Sequence, residues 1–163
     1  MEIVNIRIDE RLIHGQVAAM WTGNLKANRI IVVDNEIITD QFRKKMLKMA
    51  CPSGVKLSIL DVKTAAQNIQ NLKYQGERLF VIVKGPEVLE DMFKQGFPLK
   101  EVNVANMAGG FGTRQVKKTI CITNEDESCF YRLHQKGVHL VTQMVPSESK
   151  EEFIPLLDKL KEK

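Results

Sequence analysis

The chain is short of everything that would tie it to a nucleic acid, a membrane span or an oxidising compartment. Aromatic residues make up 6% of its 163 residues, with one tryptophan, and its cations are scattered. A basic stripe interleaved with aromatics, the footprint of a nucleic-acid binder, is therefore missing. No apolar run approaches the roughly 18 residues that a membrane-crossing helix needs. The three cysteines, Cys51, Cys121 and Cys129, form no CxxC pair, and an odd count reads as reduced thiols. The opening "MEIVNIRIDE" carries acids and enters a strand at once, unlike a secretory leader. A cytoplasmic protein is expected. No linker, low-complexity tract or repeat divides the sequence, so residues 1–163 are expected to form one domain.

Several chemistries are missing as well. His134 and His139 lack the spacing of a zinc motif. No GxSxG elbow is present. "GGFGTR", Gly109 to Arg114, has neither the GxxxxGK[ST] nor the GxGxxG spacing. It reads as a connection into the next strand or as a weak phosphate loop that brings Arg114 to a site. Neither a metal nor a cofactor is expected.

What remains is an alternation of strands and helices. Strands are expected at residues 3–8, 29–33, 56–60, 79–83, 101–104, 117–122 and 138–142. Helices are expected at 14–23, 40–49, 62–71, 87–95, 125–135 and 150–161. In "TDQFRKKMLKMA" the apolar Phe42, Met46, Leu47 and Met49 follow helical spacing, and "CPSGV" stops the helix. Such an alternation predicts an α/β fold, a sheet with a mainly parallel core of about seven strands and helices on both faces. In open sheets of this kind ligands bind beyond the carboxyl ends of the strands. Four segments fall there: "RIDERLIH", "DNE", "KGP" and "ANMAGGFGTR".

The first is the oddest. In "NIRIDERLIHGQV" a strand passes into a helix through Arg7, Asp9, Glu10, Arg11 and His14. A strand covered on both faces should be apolar throughout. One reading is an edge strand with a wet outer face. The other is an anion site: two guanidiniums beside a helix start whose free N–H groups attract negative charge. The planar guanidinium fork matches two phosphate oxygens. The imidazole of His14 adds a nucleophile that can take a phosphoryl group and give it away. Asp9 or Glu10 could orient an arginine or the imidazole. Asp34 could hold an arginine or Lys84, or cap its own turn; Lys84 could face the same cleft or solvent. The formal charge, 24 − 20 = +4, suits an acidic or phosphorylated partner without requiring one.

"RIDERLIHGQV" resembles the phosphorylation-site motif of the IIB component of the bacterial sugar phosphotransferase system, mannose/fructose/sorbose family. Trp21, "RIIVVDNE", "MACPSGVKLSILDV" and "GVHLVTQMVPS" are similar to that family too, so the resemblance spans essentially the whole chain. It implies a phosphohistidine–sugar phosphotransferase whose His14 accepts a phosphoryl group from the cytosolic IIA component. His14 would then pass it to sugar held by the membrane IIC/IID complex, which would keep the chain at the inner face of the membrane. By position, Arg7, Asp9, Arg11, His14 and Gln16 fall in the active loop, with Asp34 and Lys84 as further phosphate- or substrate-binding residues. Monomer and homodimer both fit. Two loops depart from the family pattern: "NEII", Asn35 to Ile38, lacks an aspartate, and "NVANM" stands where glycines are usual. A rival from another class is a non-catalytic sensor that binds a phosphorylated metabolite in the same cleft. A third is a metal-independent hydrolase with His14 as base.

Overall fold

The computed structural model describes residues 1–162. In chain order the strands are β1 (Glu2–Asp9), β2 (Arg29–Val33), β3 (Lys56–Leu60), β4 (Arg78–Val83), β5 (Glu101–Asn106), β6 (Arg114–Lys117), β7 (Ile120–Ile122), β8 (His139–Thr142) and β9 (Glu151–Glu152). The helices are α1 (Gly15–Leu25), α2 (Gln41–Ala50), α3 (Val62–Gln70), α4 (Pro86–Lys94), α5 (Asn124–Gln135) and α6 (Phe153–Lys161). The α/β expectation holds. Seven strands lie in the order β3-β2-β4-β1-β5-β8-β9. All pairings are parallel except that of β8 with β9.

One strand was expected in the wrong place. Residues 117–122 do not form a single strand of the sheet. A turn at Lys118–Thr119 folds β6 against β7 as a separate antiparallel hairpin. The seventh strand is instead the two-residue β9, so the last helix begins at Phe153 rather than at residue 150.

The two faces of the sheet bury different cores. Ile6, Ile8, Val81, Val104, Phe130 and Phe153 belong to the core under α3 to α6, where the Phe130 and Phe153 rings meet edge to face at 4.9 Å. Ile30, Val32, Phe80, Ile82, Trp21 and Leu47 belong to the core under α1 and α2. Strand β1 lies between β4 and β5, which excludes the wet edge strand as the reason for its charges. The chain leaves β1 towards β2 and leaves the adjacent β5 the other way, towards β8. Neighbouring connections that diverge open a crevice at the carboxyl ends of those strands.

Candidate functional site at the carboxyl end of β1

Arg7 and Asp9 are each 1% exposed, so β1 carries an ion pair into the middle of the sheet. Arg7 donates from Nε (3.3 Å) and Nη2 (3.1 Å) to Oδ2 of Asp9. Its Nη1 reaches the carbonyls of Gln143 (3.4 Å) and Met144 (3.2 Å), and Nη2 also lies 3.7 Å from the Met144 sulfur. The guanidinium sits 5.5 Å from the centre of the Trp21 ring, within range of a cation–π contact. Burial pulls its pKa below the ordinary arginine value, and Asp9 opposes the shift. With its donors turned inward, Arg7 has none left for a ligand and serves to hold Asp9.

Asp9 in turn holds Arg11. Nε of Arg11 donates to Oδ1 (3.0 Å), Nη2 to Oδ2 (2.9 Å), and its backbone N–H to Oδ1 (3.1 Å). The Arg11 side chain keeps 33% of its surface exposed, and its bonds to Asp9 raise its pKa. The turn between them is tight: Leu12 N–H bonds the Asp9 carbonyl at 2.8 Å, with Leu12 at φ 59°. A leucine in the left-handed region costs roughly 1 kcal/mol. Burial of Leu12 and Ile13 in the α1/α2 core offsets that cost. The arrangement fixes where the next residue, His14, leaves the loop.

His14 is exposed and is the N-cap of α1, yet its side chain makes no capping bond. Helices α2, α3 and α5 behave differently, because Asp40, Asp61 and Thr123 each accept a backbone N–H in their first turn. Among the described residues nothing accepts from the amides of Gly15, Gln16 or Val17; the first satisfied amide is Ala18, bonded to the His14 carbonyl at 2.9 Å. Three free donors at the positive end of a helix favour an anion. Gln16 is exposed in that first turn.

The remaining expected residues surround this loop. Asp34 is buried and does both things foreseen for it. Its Oδ1 accepts from the amides of Glu36 (2.8 Å) and Ile37 (2.9 Å), and its Oδ2 lies 3.7 Å from Lys84 Nζ. Lys84 faces the cleft: with Glu10 it lines a groove of about 290 Å³ towards α2 and another of about 310 Å³ towards the β6–β7 hairpin. Glu10 ties neighbouring loops together, its backbone N–H bonding the Asn106 carbonyl (3.0 Å) and its carboxylate accepting from Ala108 N–H (2.5 Å). Arg114 is not brought to the loop; it pairs with Glu127 and Asn124. Asn35 also turns elsewhere, accepting from the Val62 amide at 3.0 Å at the start of α3.

Sequence reasoning missed the segment after β8. Asn103 clamps Gln143 twice, Nδ2 donating to its carbonyl and Oδ1 accepting its amide, both at 2.9 Å. Trp21 Nε1 donates to the Met144 carbonyl at 3.0 Å. These bonds present the two carbonyls that Arg7 needs. The lone tryptophan and the polar Asn103 inside a strand were the available signals.

Taken together, the site is one exposed imidazole, one half-exposed arginine with a fixed fork, and three free helix amides on a loop anchored from beneath. It can bind a phosphate-sized anion and present a nucleophile to it. Comparison with known proteins agrees with this chemistry. The profile of the family "PTS system sorbose subfamily IIB component" matches residues 3–163. The chain is 36% identical over 160 residues to the sorbose-specific EIIB component of the PTS system from Lacticaseibacillus casei, covering 98% of both chains. It is 35% identical over 154 residues to the mannose-specific EIIAB component from Escherichia coli (strain K12), covering 94% of this chain and 48% of that protein. The solved IIBSor domain of the sorbose permease from Klebsiella pneumoniae superposes with a TM-score of 0.90 at 32% identity, covering 99% of this chain and 98% of that one.

Proposed function

Since the chain belongs to the sorbose-subfamily IIB components of the sugar phosphotransferase system, we propose that His14 is the residue on which it carries the phosphoryl group. A IIB component is a phosphotransferase in sugar transport and works with IIA and IIC/IID partners. Among the described residues no helix is long and apolar enough to cross a membrane, so the acceptor side is reached by docking on the IIC/IID complex.

In the first transfer the imidazole of His14 attacks the phosphorus on the IIA phosphohistidine. A P–N bond forms on His14 as the donor's P–N bond breaks. One proton leaves the His14 ring and one is taken up by the donor ring, so charge balances. In the second transfer a sugar hydroxyl attacks, the P–N bond to His14 breaks and a C–O–P ester forms. The hydroxyl proton passes, directly or through water, to the ring nitrogen that the phosphoryl group leaves, and the neutral imidazole is restored. Phosphoryl transfer of this kind asks the protein mainly to position the group and neutralise its oxygens. Arg11 and the amides of Gly15, Gln16 and Val17 do that, with Lys84 and Gln16 at the margin. Arg7, Asp9 and Asp34 hold those groups in place.

One observation carries this reading: among the described residues His14 stands exposed, without a side-chain partner, at the single helix start that combines free amides with a clamped arginine. Incubation with phospho-IIA followed by intact-mass measurement tests it. One acid-labile phosphate is expected, and none on His14→Gln. Labelling that survives His14→Gln would overturn the assignment. The sensor reading predicts saturable ligand binding without label on the wild-type chain, so the same measurement separates the two.

A further inference from the structure

Helix α2 is the least buried of the elements around the site. Only Leu47 is fully buried, while Phe42 is 73%, Met46 52% and Met49 74% exposed. These three fall at i, i+4 and i+7, on one side of the helix. "QFRKKMLKMA" contains no acid. Of its four cations, only Arg43 has a carboxylate partner among the described residues, Asp40 at 3.8 Å. Lys45 and Lys48 are exposed beside the apolar stripe.

The stripe is continuous with the reactive loop. Met46, Leu47 and Arg43 form one wall of the 290 Å³ groove, and Arg11, Ile13 and Lys84 form others. Two proteins that exchange a phosphoryl group must cover the ground around it. A standard interface takes about 800 Å² per partner, a disc of about 16 Å radius. A footprint laid over His14 therefore extends beyond the loop. Exposed methionine and phenylalanine suit the centre of such a contact, and unpaired lysines suit a rim that faces acids.

We propose that the Phe42–Met46–Met49 face of α2, with Arg43, Lys45 and Lys48 beside it, is the docking surface for the phosphoryl-donating IIA domain. This rests on the reading of His14 as the phosphoryl carrier. The domain that docks here brings an aliphatic centre and an acidic rim. Two observations favour the donor over a lipid surface. The groove is concave, which suits a side chain more than a bilayer. The Escherichia coli relative of which this chain matches about half (48%) is an EIIAB component, A and B together in one protein, so the two are built to meet.

The test uses full-length chains and purified phospho-IIA. Phe42→Ala/Met49→Ala and Lys45→Glu/Lys48→Glu are compared with wild type, each with circular dichroism and unfolding midpoint to show an intact fold. Both pairs should raise KM for phospho-IIA about tenfold or more, with kcat kept. The charge-reversed pair should also flatten the salt dependence of KM. Once phosphorylated at high donor concentration, both should deliver to sugar in vesicles holding IIC/IID at the wild-type rate. An unchanged KM for phospho-IIA overturns the proposal. It is equally overturned if only delivery to sugar slows, which assigns the face to the acceptor. Loss of binding to phosphatidylglycerol vesicles with donor KM unchanged would assign it to the membrane. Failure of the wild-type chain to take label at all would instead sink the assignment of His14.

Discussion

Arg11 grips Asp9 with two parallel bonds, Nε to Oδ1 at 3.0 Å and Nη2 to Oδ2 at 2.9 Å, while a third of its side chain stays in water. The guanidinium is thus oriented before any ligand arrives, and its Nη1 takes no part in the grip on Asp9. Preorganised charge of this kind stabilises a transition state without reorganisation at the moment of reaction.

Arg11→Lys keeps the charge and loses the fork. A charge-assisted bond is worth about 1.5–3 kcal/mol, so labelling by phospho-IIA should slow about 10- to 100-fold. Single-turnover kinetics give the number. The unfolding midpoint should move little, because Arg7 still neutralises Asp9. An unaltered rate would remove Arg11 from the transfer step.

Arg7→Met should damage the fold more than the chemistry. It leaves the Asp9 carboxylate buried with Arg11 alone and takes one of two side-chain donors from each of the Gln143 and Met144 carbonyls. Breaking a buried pair in this way costs about 3–5 kcal/mol, read from urea unfolding. Arg11→Met should cost clearly less, since its site is open to water. The reverse ranking would contradict the division of labour between the two arginines.

A pH-dependent element lies away from the site. Glu90, buried between α4 and α5, accepts from Arg132 Nε at 2.7 Å and from Cys129 Sγ at 3.4 Å. The Arg132 bond draws its pKa from 4.5 down to about 2. Burial and Glu90 push the Cys129 thiol up to about 12. A carboxylate depressed on folding adds stability that is full above its unfolded value and lost as pH falls towards its folded value. Glu90→Gln should therefore cost about 1–2 kcal/mol at pH 7, a deficit that shrinks between about pH 4.5 and 2. Urea midpoints for both chains across that range decide it; a constant deficit would show that charge is not its source.

Much of the fold was written in local pattern. The six parallel strands and six helices announced themselves by period and by punctuation such as "CPSGV" and "KGP". The segment 117–122 misled because the apolar Ile120–Ile122 reads as one strand together with Lys117–Thr119, where only the pairing of β6 with β7 reveals a turn. The two-residue β9 has no sequence signature at all. The charged joint was equally legible as an anomaly, and His14, Arg11, Asp34 and Lys84 do gather at one edge. The separate duties of Arg7 and Arg11 were not, since burial depends on strand order, and β1 is central only because β4 and β5 flank it. Asn35 accepts from the first amide of α3, which no local reading could foresee.

The bond from Trp21 to the Met144 carbonyl gives the chain an optical gauge. Trp21 is its sole tryptophan, buried against Arg7 and fastened to the very segment that anchors the loop beneath His14. All intrinsic indole emission therefore originates at this junction. Loosening of the anchor would register as a change of colour, with no dye attached and no other fluorophore of its kind to blur the signal.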